Sequence, residues 1–176
     1  MKRGIINMSK VVLSILVENT SGVLSRVSGL FSRRGYNIDS LTVGVTEDPK
    51  FSRMTVVASG DDEILEQIQK QVGKLVDVKK IEVLKDGESV CRELVLVKVG
   101  AKAEQRQQVI SVADIFRAKI VDVSPDSLMV ELTGNQTKLD AFISLLEGFE
   151  IRELVRTGIT GLIRGACERN VCEPQR

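Results

Sequence analysis

What constrains this chain most is an order of apolar periodicities that runs strand-helix-strand-strand-helix-strand and then does so again. In the first half, strands are expected at 11–17, 40–45, 53–58 and 78–84, with helices at 22–34 and 62–75. Val23, Val27, Leu30 and Phe31 recur at helical spacing in the first helix, which Gly35 stops. Ile64, Leu65, Ile68, Val72 and Leu75 form the stripe of the second, which Asp61 or Asp62 can cap. Along 40–45, Leu41, Val43 and Val45 share one face, and Ser40 and Thr42 the other. The second half repeats the order with strands at 92–99, 120–123, 128–132 and 150–156 and helices at 104–116 and 136–146. Its stripes are Val109, Val112, Ala113 and Phe116, then Leu139, Phe142, Ile143 and Leu146. Polar turns at 46–50 (with Pro49) and 124–127 join the middle strands of each half. The expected fold is α+β, two tandem ferredoxin-like β-α-β-β-α-β domains. The polar linker 85–89, with its turn-forming Asp86-Gly87, divides them into 1–85 and 86–176.

The residue inventory removes several kinds of chemistry. The 176 residues include no histidine, which excludes His-based acid-base catalysis, His metal sites and Ser-His or Cys-His nucleophiles. Cys91, Cys167 and Cys172 form no close pair, as expected of reduced thiols rather than a zinc site or disulfide framework. A net charge of +1 supplies no field for nucleic acid or an anionic membrane. Apolar runs are broken well short of the roughly 20 residues a membrane helix needs. The basic Met1-Lys2-Arg3 gives way to Asn7, Ser9 and Lys10 without a secretory core, so the cytoplasm is the expected compartment. An RNA-binding module of the same order would carry aromatic rings on its central strands, but 54–58 and 95–99 hold none. An acylphosphatase-like enzyme would need an arginine in its first loop, and 19–22 has none. Gly158, Gly161 and Gly165 do not match a dinucleotide or P-loop fingerprint and are expected to permit turns or close packing.

The run Glu18-Asn19-Thr20-Ser21-Gly22-Val23-Leu24 is where chemistry is expected. Thr20 and Ser21 are N-cap residue types, Gly22 leaves room for a ligand, and first-turn amides lack helical acceptors. An ordinary capped helix start reads the same way. As a ligand site, such a turn suits a carboxylate through its free donors and the helix dipole, with Asn19 as a neutral donor and acceptor. The second half has Gly100-Ala101-Lys102-Ala103 at the corresponding turn and is not expected to hold the same pocket.

Several segments carry a resemblance to a known family: Glu18-Asn19, Gly22-Val23-Leu24-Ser25-Arg26-Val27, Gly29-Leu30-Phe31, Arg34-Gly35-Tyr36-Asn37-Ile38, Ser40-Leu41-Thr42-Val43 and Ser52-Arg53-Met54-Thr55. They resemble the ACT domain of the acetolactate synthase (acetohydroxyacid synthase) small regulatory subunits. The likeness continues through Lys138-Leu139-Asp140-Ala141-Phe142 to Arg156-Thr157-Gly158 and covers nearly the whole chain. It implies a non-catalytic subunit that binds the catalytic (large) subunit, raises its activity, and transmits feedback inhibition by valine, leucine or isoleucine. Thiamine diphosphate, magnesium and FAD would belong to that partner and none to this chain. The resemblance also implies side-by-side pairing of ACT domains as a homodimer. Asn19, Gly22, Val23 and Leu24 of one copy would then face Asn37 and Ile38 of the other around the effector. Asn19 or Asn37 would take the ammonium group, and Ile38 would receive the branched side chain. A free-standing ACT-type amino-acid sensor acting on a different partner is the alternative.

Overall fold

Leu13, Ile15 and Val17 alternate along β1 (Ser9–Glu18) and all three side chains are fully buried. That alternation makes β1 a central strand with one face turned to the core. The computed structural model describes residues 9–165. It continues with α1 (Val23–Arg34), β2 (Asn37–Val45), β3 (Phe51–Gly60), α2 (Asp62–Val72) and β4 (Val78–Val83). These strands form an antiparallel sheet in the order β2-β3-β1-β4, so β2 and β4 are its edges. Leu13 pairs with Val56 of β3 and Ile15 with Ile81 of β4. Val23, Val27, Leu30 and Phe31 of α1 and Leu65, Ile68 and Val72 of α2 close the core against this face. Burying each such side chain contributes about 1.5–3 kcal/mol. The Phe31 ring meets the edge of Tyr36, with centroids 6.3 Å apart.

Asp61 caps α2 by accepting from the Ile64 amide at 2.8 Å, one of the two caps the sequence allowed. The helix ends at Val72, earlier than its apolar stripe suggests, and Leu75 reaches the core from the following turn. β2 and β3 run longer than their apolar centres, because ladder hydrogen bonds extend to polar residues the periodicity does not mark, whereas β4 ends one residue early.

The second half comprises β5 (Ser89–Gly100), α3 (Ala103–Phe116), β6 (Lys119–Ser124), β7 (Ser127–Gly134), α4 (Gln136–Leu146) and β8 (Glu150–Arg156). Its sheet order β6-β7-β5-β8 repeats that of the first. Val95, Val97 and Val99 of β5 meet Val109, Ala113, Leu139, Phe142 and Leu146, with Phe116 and Phe142 edge to face at 5.4 Å. Two tandem ferredoxin-like units is therefore the observed fold class.

The chain divides into a unit of Met1–Cys91 with Ile159–Arg176 and a unit of Arg92–Gly158. A thirteenth element, β9 (Thr160–Ile163), belongs with the first unit and pairs with β5. Its four residues carry no periodicity, so the sequence does not announce it. Gly158 turns the chain there at φ +85°. A Cβ on the buried Gly161 would lie 2.8 Å from both the Val90 carbonyl and the Cys91 sulfur, so only glycine fits. Gly165 shows no such crowding. Cys167 and Cys172 lie outside the described residues.

Candidate functional site at the first helix entrance

Gly22 decides the local geometry. It is the N-cap of α1 and sits in the left-handed region at φ +86°, ψ −11°, where L side chains are strained. Thr20 and Ser21, the expected capping types, make no side-chain cap bond, because the cap falls one residue later than the hydroxyls. The Arg26 amide reaches the Gly22 carbonyl at 2.9 Å, and the Val23 amide only grazes that of Thr20 at 3.5 Å. The amides of Gly22, Leu24 and Ser25 have no acceptor among the described residues. Free donors at a helix start, in an exposed turn, form a cradle for an anionic group.

Val23 is 2% exposed, so its side chain is committed to the core and it can offer the site only main chain. Leu24 points outward and is 45% exposed. Asn19 is fixed by the β2–β3 hairpin: its backbone amide donates to the Lys50 carbonyl at 2.7 Å and its Nδ2 to the Pro49 carbonyl at 2.9 Å. That leaves Asn19 Oδ1 as an oriented acceptor. Asn19, Gly22, Val23 and Leu24 thus gather at one end of the sheet.

Asn37 and Ile38 do not join them within one chain. Glu18 pairs with Phe51 and Val45 with Ser52, whereas Asn37 pairs with Ser59 and Ile38 with Ala58, close to where Ser9 meets Gly60. The two groups therefore occupy opposite ends of the sheet, separated by α1, whose 12 residues span about 18 Å. Asn37 donates its side-chain amide to Asp39 Oδ1 at 2.5 Å, and its own carbonyl oxygen has no hydrogen-bond partner among the described residues. Ile38 is half-buried and packs on the first core.

Two residues at this entrance are not among the expected site residues. Ser25 supplies a free amide that the expected cap position would have engaged. Arg26, on the exposed flank of α1, holds Asp77 by two bonds, Nε to Oδ2 at 2.6 Å and Nη2 to Oδ1 at 2.9 Å. The hydrogen bond from Arg26 and its charge hold the Asp77 carboxyl below its ordinary value. The same bond raises Arg26 above its own. The Asp77 carbonyl accepts from the Glu18 amide at 2.9 Å, and Glu18 pairs with Lys79 at 2.6 Å. The sequence marks Arg26 by its place in a segment that carries the family resemblance and in the fourth helical position after a glycine, but not by its partner.

Elsewhere in this unit, a cavity of about 350 Å³ lies beside Thr42, Gly44, Thr46, Arg53, Thr160 and Leu162. Arg53 is engaged there by the Ser14 hydroxyl at 2.8 Å and by Glu82 at 3.5 Å. Among the described residues no cluster of His, Cys, Asp or Glu could hold a metal ion. No helix among them is long and apolar enough to cross a membrane.

Two family models cover the chain in succession: an AHAS small subunit-like ACT domain matches residues 13–80, and the small subunit of acetolactate synthase matches residues 92–165. The probable acetolactate synthase small subunit of Methanothermobacter thermautotrophicus is 53% identical over 156 residues, which are 88% of this chain and 93% of that one. This chain belongs to the acetolactate synthase small-subunit family. The acetolactate synthase isozyme 3 small subunit of Salmonella typhimurium is 52% identical over 155 residues, 88% of this chain and 95% of that one. A crystal structure of the acetolactate synthase small subunit from Thermotoga maritima superposes with a TM-score of 0.84 at 41% identity, over 90% of this chain and 99% of that one. For a member of the acetolactate synthase small-subunit family, the open entrance of α1 lies within the segment matched by the ACT model.

Proposed function

We propose that this chain is the non-catalytic regulatory subunit of a cytoplasmic acetolactate synthase. It binds the catalytic subunit, raises its activity, and carries feedback inhibition by valine or a related branched-chain amino acid. Thiamine diphosphate, magnesium and FAD reside on the catalytic partner. The observation that supports this reading most is the α1 entrance, where a left-handed glycine cap leaves the Leu24 and Ser25 amides without acceptors in an ACT-type domain.

A homodimer completes the pocket in this reading. β2 is an edge strand, and Val43 and Val45 on it are 46% and 62% exposed, a liability that pairing with a second copy removes. Antiparallel pairing of β2 with its copy would carry Asn37 and Ile38 of one chain to the Asn19 and Leu24 end of the other. The effector carboxylate would then sit on the free amides, an asparagine carbonyl would take the ammonium, and Leu24 and Ile38 would flank the side chain. Because the pocket needs both copies, effector binding and pairing are linked, and the effector acts by favouring one pairing geometry over another.

Gly22→Asp tests this. Aspartate tolerates the left-handed region better than most residues, but it places a fixed carboxylate where the ligand's belongs. The expected result is loss of valine inhibition in a variant that still co-purifies with the catalytic subunit. Unchanged valine sensitivity in the reconstituted holoenzyme would overturn the assigned pocket.

A further inference from the structure

Arg26 is placed and oriented in a way that its ion pair with Asp77 does not exhaust. Asp77 binds Nε and Nη2 of the guanidinium, fork to fork, which fixes the plane of the group. The third nitrogen, Nη1, makes no hydrogen bond to any described residue. It lies beside Gly22, 3.0 Å from where a Cβ on that residue would be. The free end of the guanidinium thus reaches the turn that carries the unpaired Leu24 and Ser25 amides. Asp77 is itself held in place, since its carbonyl is bound by the Glu18 amide at the end of β1. Its side chain is only 16% exposed against 49% for Arg26, so the holder of the arginine is the more rigid member of the pair.

We infer that Arg26 is a ligand-positioning residue of the effector site, turned by Asp77 so that Nη1 donates to the effector's carboxylate together with the Leu24 and Ser25 amides. This rests on the effector reading above. Backbone amides and a helix dipole attract any anion, but they do not fix the rotation of a carboxylate about its axis. A guanidinium held in one plane does, because its N–H groups leave in fixed directions. The same contact explains why the cap is glycine on two counts, the left-handed backbone and the guanidinium occupying the side-chain space. Because Asp77 neutralises Arg26, the entrance carries no excess positive charge, as suits a zwitterion better than a simple anion.

The test is isothermal titration of the full-length protein with L-valine and with L-valinamide, which lacks the carboxylate. Wild type, Arg26→Gln, Arg26→Lys, Asp77→Asn and Asn19→Ala are compared. Losing one charge-assisted hydrogen bond is expected to weaken valine binding by about tenfold or more in Arg26→Gln. Arg26→Lys should be intermediate, because it keeps the charge and loses the fork. Asp77→Asn should weaken binding less, because the arginine stays but is no longer held. Valinamide should bind wild type and Arg26→Gln alike, so that the preference for valine collapses in the variant. A purely structural role would weaken both probes in proportion and leave that preference intact, which overturns the inference. If Asn19→Ala weakens valine binding and Arg26→Gln does not, this inference falls and the effector site stands. Should no variant change valine binding, the effector reading falls and takes this inference with it.

Discussion

The two helix entrances of this chain have the same topology and differ in their cap residue and in what their arginines hold. Each follows the first strand of a ferredoxin-like unit, and each helix carries arginine at its fourth position, Arg26 in α1 and Arg106 in α3. At α3 the cap is Lys102, in extended backbone at φ −66°, ψ 163°, and its carbonyl takes the amides of Gln105 at 2.8 Å and Arg106 at 3.1 Å. The Arg106 guanidinium closes onto the carbonyls of Ser124 and Pro125. The space that a Gly100 side chain would fill is taken by the Glu150 carboxylate and by Arg152, which pairs with Asp126 at 2.8 Å. Both starts leave two successive amides without an acceptor among the described residues, Leu24 and Ser25 at α1 and Ala103 and Glu104 at α3, but at α1 the cap is a left-handed glycine and Asp77 holds Arg26 with Nη1 beside that glycine and bound to no carbonyl. The fold provides a helix start at both places. Whether it is a site depends on where a few side chains go.

The largest effect expected from breaking this contrast lies in the closed unit. Arg156 grips Glu93 through Nε at 3.0 Å and Nη2 at 2.7 Å, and gives Nη1 to Asp140 at 2.9 Å. Glu93 is nearly buried, with 7% of its side chain exposed. Arg156→Met would strand that carboxylate. The cost is about 2–3 kcal/mol, below the fully buried case because the arginine itself is partly solvated. Denaturant titration should show that loss, while valine affinity, which the proposed function assigns to the α1 entrance, is expected to stay at the wild-type value.

The glycines of α1 offer a smaller effect with two signs. Gly22→Ala is expected to cost about 1–2 kcal/mol, because alanine is strained at φ +86°. Gly29→Ala, inside the same helix with nothing within 4 Å of the added methyl, should gain about 0.5–1 kcal/mol. Thermal midpoints of the two variants moving in the same direction would contradict the backbone assignment at the cap.

The smallest effect is in the pH dependence of the two arginine-aspartate pairs, Arg26–Asp77 and Arg152–Asp126. The Arg26 hydrogen bond lowers Asp77, and the Arg152 hydrogen bond lowers Asp126. A carboxyl lowered on folding contributes stability that is present above its unfolded pKa and disappears as pH falls through the folded value. The thermal midpoints of Asp77→Asn and Asp126→Asn should therefore lie slightly below wild type at neutral pH and merge with it in acid beneath the ordinary aspartate range. A gap that widens on acidification would contradict a lowered carboxyl in the folded state.

Much of the fold was legible because both cores are aliphatic and strongly periodic: α4 and β8 match their expected bounds, and the stripes of α1 and α4 contain the residues that are buried. What failed was local. Thr20 and Ser21 looked like caps, but a left-handed Gly22 moved the helix start past them, and no propensity reports that shift. Val43 and Val45 share the core-facing side of β2 with Leu41, yet they stay exposed because an edge strand outruns its helices. The geometry of the candidate site was legible only in part. Its residues on 19–24 cluster as their spacing suggests, but Arg26 enters through a bond to Asp77, 51 positions away, which no local pattern encodes.

The most direct measurement is a valine titration of the 15N-labelled full-length protein, following main-chain amides at both helix starts. Saturable shifts are expected at Leu24 and Ser25, with Ala103 and Glu104 unmoved. Shifts confined to the α3 entrance, or silence at Leu24 and Ser25 under saturating valine, would contradict the assigned pocket.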